Sequence, residues 1–330
     1  MLCPKTVRLA WGAALAAALT CGAAAQTVDF AQRLAQAQHL QVLNRFTEAR
    51  TVYRALLRDV RQDSPANRQA AVVLDNLGLD EQGRGDYAAA ETAFNHGLAA
   101  VPEGAADSPV TIALKTHLAE LYAAELRPED AQPLIRQVVA VLRSSPLPDR
   151  KALSVAYEDL ATVCIMLRKL QEPETLLRQA QALIETELGP SHPRLASSLL
   201  TYAGLLTVQH RYAEAVIPAE RAWQILRTVS PRMPKPFLAS ALTVLGAVYL
   251  HVGRVAEAES CARQSVDLAE ASLGLRHPRL GLYLANYAVI LNRAGHKKEA
   301  KAIQKRSGEI MAQFPTGNSG GGTVNVAALR

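Results

Sequence analysis

Histidines are the first residues to test for metal chemistry, and this 330-residue sequence has eight of them. A zinc site on a helix needs two His or paired Cys with a carboxylate at i, i+3 or i+4 spacing, and no segment supplies that pattern. His192 and His277 each precede a proline at equivalent places far apart in the chain, so we expect them to form joints. His296 and Glu299 are a single i, i+3 pair on a solvated face. The sequence therefore predicts no metal and no cofactor.

Nucleophilic and acid–base motifs are also missing from the sequence. There is no Gly-x-Ser-x-Gly, no phosphate-binding Gly loop ending in Lys-Ser/Thr and no Gly-x-Gly-x-x-Gly after a strand. Gly83-Arg84-Gly85 is interpreted as a turn between helices. Glu158 and Asp159 are adjacent, and adjacent residues of a helix do not face one another. We expect a protein that is not an enzyme.

The first 25 residues have the pattern of an export signal. Lys5 and Arg8 form a basic start, residues 9–20 form a short apolar run, and Ala23-Ala24-Ala25 suits signal peptidase, with cleavage before Gln26. We expect an exported, soluble protein that is periplasmic or secreted. The alternative is a lipoprotein anchored at Cys21, although the preceding Ala18-Leu19-Thr20 fits a lipid-attachment signal poorly.

Composition and charge narrow the class of protein. Hydrophobic residues make up 49% of the chain and aromatic residues only 5%, which favours closely packed helices over a β-sandwich. Removing Lys5 and Arg8 from the 36 basic residues leaves 34, against 30 acidic residues, with no block of like charges. We therefore expect no nucleic-acid partner. No later stretch approaches 18 uninterrupted apolar residues, so we expect no integral membrane span.

A short phrase, a polar or Gly residue followed by an apolar one and then x-Glu-Ala, recurs through the chain. Its final positions are Ala49, Ala90, Ala131, Pro173, Ala215, Ala258 and Ala300. A second phrase opens at Asn76, His117, Asp159, Thr201, Val244 and Asn286 and keeps the same step of 41 to 43 residues. Two phrases that drift together in this way predict a structural repeat.

Each repeat is predicted to be a pair of helices with small residues where the two helices approach. In one repeat, Phe237 to Val252 is the first helix, Gly253 ends it, and the second helix runs from Arg254 to about Leu273. A hairpin of this kind cannot bury its apolar face alone, so neighbouring hairpins must stack. Cys164 and Cys261 lie about two repeats apart, so we expect two buried free cysteines and no disulfide between them.

The segments Leu74 to Gly78 and Gly85 to Phe94 resemble a tetratricopeptide repeat (TPR). The step of about 42 exceeds the usual 34, and the joints at 188–193 and 273–278 resemble the kinesin-light-chain type of repeat. The resemblance covers about residues 28–313. It implies an all-α fold, an α-solenoid (a right-handed superhelix) of about seven helix-turn-helix TPR-like repeats. It departs at Pro173, which replaces the Ala, and at Pro133 and Pro218, where we expect local bends.

The resemblance also implies which residues would bind a peptide. In the family, the position that opens the second phrase lies on the concave side, and its neighbours project the same way. The peptide-groove candidates are Asp75, Asn76, Thr116, His117, Glu120, Glu158, Asp159, Thr162, Thr201, Thr243, Asn286 and Arg293. The other interpretation of the Asn or Asp is that it ties one hairpin to the next. Only Arg293 could serve a carboxylate clamp, so we expect a neutral or mildly basic segment as the ligand.

The domain prediction is a signal peptide at 1–25, a TPR-like solenoid at 26–314 and a flexible Gly-rich tail at 315–330. The functional hypothesis is a monomeric scaffold or adaptor that binds a protein or peptide partner in its groove. One alternative is an accessory or sensor subunit of an envelope or secretion assembly that uses its convex or terminal surface. Charge complementarity to a basic segment would come from Asp75, Glu120, Glu158 and Asp159.

Overall fold

A computed structural model describes residues 24–43, 45–61, 67–146 and 149–313 of the chain. Over these residues the chain is helical, contains no β-strand and divides into two compact units at Asp149. The all-α prediction is confirmed. Most of the predicted signal peptide and the predicted tail lie outside the described residues. The first helix begins at Ala24, two residues before the predicted cleavage point.

The unit before Asp149 contains three helical hairpins. Its helices are α1 (Ala24–Val42), α2 (Phe46–Arg61), α3 (Arg68–Arg84), α4 (Tyr87–Ala99), α5 (Pro109–Ala124) and α6 (Pro128–Ser144). The odd-numbered helix of each pair, called here the first helix, packs against its even-numbered second helix. The first helices of successive hairpins also contact one another.

The unit from Asp149 onward contains four hairpins. Its helices are α7 (Arg150–Met166), α8 (Pro173–Leu188), α9 (Pro193–Val208), α10 (Tyr212–Val229), α11 (Lys235–His251), α12 (Val255–Leu273), α13 (Pro278–Arg293) and α14 (Lys297–Met311). A short 3₁₀ turn, Ser230–Arg232, follows α10. The described residues thus hold the seven helix pairs that the repeat predicts.

The turn inside each hairpin explains why the sequence step is so regular. One residue adopts a left-handed conformation at the same place in six hairpins: Gly85, Leu126, Arg168, His210, Gly253 and Gly295. In each case the next N–H donates to a carbonyl five residues back, as from Arg254 to Tyr249 at 2.9 Å. This is the Schellman pattern, which satisfies carbonyls at the end of the first helix.

Small residues occupy the contact between the two helices of a hairpin, as predicted. Ala258 is fully buried, and its carbonyl oxygen would lie 3.3 Å from a Cβ placed on Gly246. At Gly78 an added Cβ would lie 2.4 Å from the ring of Phe94. Side-chain volume at these places would overpack the hairpin. Cys261 also packs there. Both Cys164 and Cys261 are buried, as predicted, and neither forms a disulfide.

The prolines that depart from the family pattern lie in two different settings. Pro173 is the first residue of α8, where the missing N–H has no intrahelical partner to lose. Pro133 and Pro218 lie inside α6 and α10, and both helices continue past them. The bends expected at these two prolines stay a prediction.

Histidine caps the first helix at two joints. Nδ1 of His192 accepts from the Arg194 N–H at 3.2 Å, and Nδ1 of His277 accepts from the Arg279 N–H at 3.1 Å. Each histidine thus satisfies one of the unpaired N–H groups at a helix N-terminus. Both have the joint-forming role that the sequence predicts.

Candidate functional site

The twelve predicted groove residues, called here the first-helix row, all lie on first helices. Asp75, Asn76, Thr116, His117 and Glu120 belong to the unit before Asp149, and the other seven belong to the unit after it. Most of the row is half-buried, so its polar atoms meet both neighbouring helices and solvent. Each unit's part of the row is therefore considered by itself.

Three members of the row, Asp75, Asn76 and His117, tie hairpins together in the first unit. The Asp75 carboxylate lies 2.7 Å from Nδ1 of His117, which joins α3 to α5, and both side chains are nearly buried. The Asn76 side chain accepts from Gln38 at 3.1 Å, and its carbonyl accepts from Gln41 at 2.9 Å, which joins α1 to α3. The tying role considered from sequence is therefore present at Asp75 and Asn76.

In the second unit, an ion pair ties two neighbouring hairpins together. Glu158 on α7 accepts from Arg194 on α9 at 2.6 Å, and both side chains are largely buried. Burial raises the pKa of Glu158, and the Arg194 guanidinium opposes that rise. Removing either partner would leave a buried charge unpaired. Because the Glu158 carboxylate already pairs with Arg194 inside the protein, it is a poor contact for a partner's basic side chain.

Three threonines of the row turn their hydroxyls back to their own helix. Thr116 donates to Ile112 O at 2.9 Å, and Thr162 donates to Glu158 O at the same distance. Thr201 donates to Ser197 O at 3.2 Å. Because each hydroxyl has one hydrogen, only its acceptor lone pairs remain toward solvent. Together with the half-buried Glu120 and Asp159, these positions make the row rich in acceptors.

Burial corrects two members of the predicted row. Thr243 is 6% exposed, donates to Ala239 O and shares a 2.8 Å hydrogen bond with Ser265 of α12, so it faces its own hairpin. Asn286 is 3% exposed. Neither can hold a partner's main chain in this conformation. Arg293 is exposed near the end of α13. Peptide binding by the remaining residues stays a prediction.

The described residues contain neither a metal-ligand cluster nor a membrane-spanning helix. The described part of the chain contains no group of three or more His, Cys, Asp or Glu side chains placed to hold a metal ion. Among the described helices, none combines the length and the apolar character that crossing a membrane requires.

Comparison with known proteins places this arrangement in a family. Residues 237–313, which form the last two hairpins, match the tetratricopeptide repeat model. A candidate kinesin light chain from Podosopora anserina with nearly identical TPR-like repeats is similar in structure, with a TM-score of 0.50 and 22% identity. That match covers 61% of this chain and 95% of the other. Residues 237–313 are thus identified as tetratricopeptide repeats, and the described chain has the fold of TPR-like repeat proteins.

Two further structures resemble this chain over most of its length. RapI in its apo form has a TM-score of 0.65 and 13% identity, covering 88% of this chain and 100% of RapI. A Rap protein complexed with competence and sporulation factor has a TM-score of 0.60 and 13% identity, covering 91% of this chain and 76% of that protein. At these identities the likeness concerns the fold alone. Comparison with curated proteins gave no match.

The sequence did not predict a polar cluster that recurs between neighbouring hairpins. Glu220 on α10 accepts from the Tyr249 hydroxyl at 2.9 Å and from Arg254 at 2.8 Å, both in the next hairpin. Glu91 accepts from Tyr122 and Arg127, and Glu174 from Tyr202 and Arg211, in the same manner. The recurring Arg that opens the first phrase was the available signal.

Proposed function

We propose that this protein is a non-catalytic scaffold that binds a protein or peptide segment at the half-buried first-helix row of one or both of its units. The observation that carries the proposal is the excess of acceptors at repeat-equivalent positions. Thr116, Thr162 and Thr201 donate their hydroxyl hydrogens to their own helices, and Glu120 and Asp159 add half-buried carboxylates, each of which also has an interaction within the chain. A ligand that brings N–H donors or basic side chains would complement them.

The class of ligand follows from the same chemistry. An extended or helical segment that is neutral or mildly basic could donate its main-chain N–H groups and its Lys or Arg side chains to the row. Asp75 and Glu158 are less suitable contacts, because they form nearly buried pairs with His117 and Arg194. The Rap protein complexed with competence and sporulation factor supports the proposal, since a similar fold there holds another molecule.

Site-specific photo-crosslinking tests the row directly. A benzophenone amino acid would replace Thr116 or Thr201 on the row, or Ala140 or Ala256 as exposed controls on second helices. We expect one and the same partner to be crosslinked from the row positions and not from the controls. Crosslinks formed equally from Ala140 and Ala256 would contradict binding through the row.

A charge variant separates the row from other acidic surfaces. Glu120→Gln with Asp159→Asn removes two carboxylates from the row, whereas Asp107→Asn with Glu129→Gln removes two exposed ones elsewhere. We expect the first pair to weaken binding of the crosslinked partner by about tenfold, because each lost charge contact is worth up to about 1 kcal/mol. Equal affinity of the two variants would argue against the acceptor-rich row.

Export is a separate proposal that rests on residues 1–25. We expect the mature protein in the periplasm or medium to begin at Gln26, which N-terminal sequencing would check. If Cys21 instead carries a lipid, labelling with a radioactive fatty acid would mark the protein and Cys21→Ser would abolish the label. A monomer by size-exclusion chromatography with light scattering is expected for the purified chain.

A further inference from the structure

The last described helix, α14, presents a face of unusual charge. Lys297, Lys301 and Lys305 are exposed and follow one another at four-residue steps, so they form one stripe along the helix. Lys298 lies beside the stripe, and Arg293 is exposed at the end of α13. The only ion pair recorded for these five residues in the described chain is Lys305 with Glu309, at 3.7 Å.

This arrangement is unfavourable for the helix itself. Like charges at i and i+4 destabilise a helix by about 0.2–0.5 kcal/mol per pair, and cations in the first turn oppose the helix dipole. Where α14 has Lys297 and Lys298, other second helices begin with residues such as Tyr87, Tyr212 and Val255. A helix face of a repeat array that meets solvent needs polar residues. A mixture of acidic and basic residues would meet that need as well as lysines alone.

Among the described residues, Glu309 is the one acidic residue that forms an ion pair with the stripe. Residues 314–330 contain no Asp or Glu, so that segment cannot neutralise it. Arg306 is already turned toward Glu270 of α12, at 2.5 Å. The apolar side of α14 is committed to its own hairpin, since Ala300 and Ile310 are buried. The helix therefore has no free apolar face to insert into a membrane, which disfavours a lipid surface as the occupant.

We propose that the lysine face of α14, made of Lys297, Lys298, Lys301 and Lys305 with Arg293, docks an acidic protein segment. Carboxylates spaced by one helical turn on the partner would match the lysines, which are also spaced by one turn. Apart from Arg293, which belongs to both, this surface is separate from the first-helix row, and it prefers the opposite charge. It gives the protein a second attachment point that does not depend on the row.

The test uses a defined probe. A fluorescein-labelled, alanine-based helical peptide with four glutamates at four-residue spacing would be titrated against the full chain by fluorescence anisotropy. The test variant carries Lys297→Gln, Lys301→Gln and Lys305→Gln. The matched control carries Arg58→Gln, Arg143→Gln and Lys151→Gln, which removes the same charge from exposed positions elsewhere. Circular dichroism would confirm that both variants remain helical.

The proposal predicts a loss of affinity of about tenfold in the test variant, no more than about twofold in the control, and weakening with added salt. Equal affinity of both variants would overturn it, because the peptide would then respond to net charge alone. Vesicles containing phosphatidylglycerol, or single-stranded DNA, that bind more tightly than the peptide with the same loss in the test variant would also overturn it. Retained crosslinking from Thr116 or Thr201 in the test variant would keep the row proposal separate from this one.

Discussion

Asp80 shows how burial controls the charge of a single side chain in this protein. It lies on α3, fully buried. Burial, and after it the neighbouring Glu81 carboxylate, raise its pKa to about 6. Gln41, Arg84 and Arg50 oppose the rise. On α2, burial also raises the pKa of Tyr53, helped by the charge of Asp80. Asp80 thus ionises within a polar cluster that cannot solvate it fully.

The stability contributed by Asp80 should fall as pH rises. Its folded pKa lies above the ordinary aspartate value of 3.8, so the contribution is fully present below that value and is lost as pH rises through about 6. Asp80→Asn keeps the shape and removes the charge. We expect the variant to be more stable than the wild type by about 1–3 kcal/mol at pH 7.5, as measured by chemical denaturation.

The pH dependence itself distinguishes this cause from a simple packing gain. The advantage of Asp80→Asn should disappear near pH 4, where the wild-type carboxyl is also neutral. Asp107→Asn, an exposed control, should show no advantage at either pH. A stabilisation by Asp80→Asn that is independent of pH would contradict the assignment.

The two histidine caps should respond to pH in the opposite direction. Burial lowers the pKa of His192 and of His277, with nearby cations adding to the shift. Because the cap needs an unprotonated Nδ1, its stabilisation is present above about pH 6.5, the ordinary value, and is lost as pH falls through the lowered pKa. His277→Asn should preserve the cap and flatten this dependence. His277→Ala should cost about 1 kcal/mol at pH 8. Thermal melts across pH 5–8 would measure both.

At the scale of the element, the turn inside each hairpin could be predicted only in part. The glycines Gly85 and Gly253 indicate a left-handed residue, and the repeat register places Leu126, Arg168 and His210 at the same position. These three side chains carry no local sign of that conformation. The Schellman hydrogen bonds of the neighbouring helix ends impose it, so the register was the only available guide.

Leu126→Gly should therefore stabilise the protein. Leu126 has φ 60° and is 79% exposed, so glycine relieves backbone strain at little cost in packing. We expect a gain of about 1 kcal/mol in the free energy of unfolding. The reciprocal change, Gly253→Leu, should lower the free energy of unfolding by about as much, because φ is +80° there. That loss would come from the backbone alone, since an added Cβ would meet no atom within 4 Å. Changes of the same sign in both variants, measured by urea denaturation, would count against this turn.

Alanine substitutions of glycines test how closely the two helices of a hairpin pack. Gly78→Ala would place a Cβ 2.4 Å from the Phe94 ring, whereas Gly308→Ala on α14 would meet nothing within 4 Å. We expect Gly78→Ala to destabilise by about 1–3 kcal/mol and Gly308→Ala to stabilise by about 0.5–1 kcal/mol. Thermal unfolding followed by circular dichroism would measure both, and equal tolerance would contradict the helix register.

At the scale of the whole molecule, the sequence predicted the seven hairpins because the same two phrases recur at one step. It predicted less of the candidate site. Thr243 and Asn286 have equivalents on the half-buried row, yet both are buried, and Thr243 bonds to Ser265 of its own hairpin. The pairing of Glu158 with Arg194 depends on two neighbouring first helices. Contacts between hairpins vary with side-chain size, which a repeat pattern does not encode.

Hydrogen exchange of the free and partner-bound protein, followed by mass spectrometry, tests the binding surface most directly. With the partner captured by photo-crosslinking, exchange should slow in peptides from the first helices α3 and α5 or α7 and α9. Peptides from the second helices α4, α6, α8 and α10 should be little affected. Slowed exchange confined to the second helices, or unchanged exchange throughout, would contradict binding along the first-helix row.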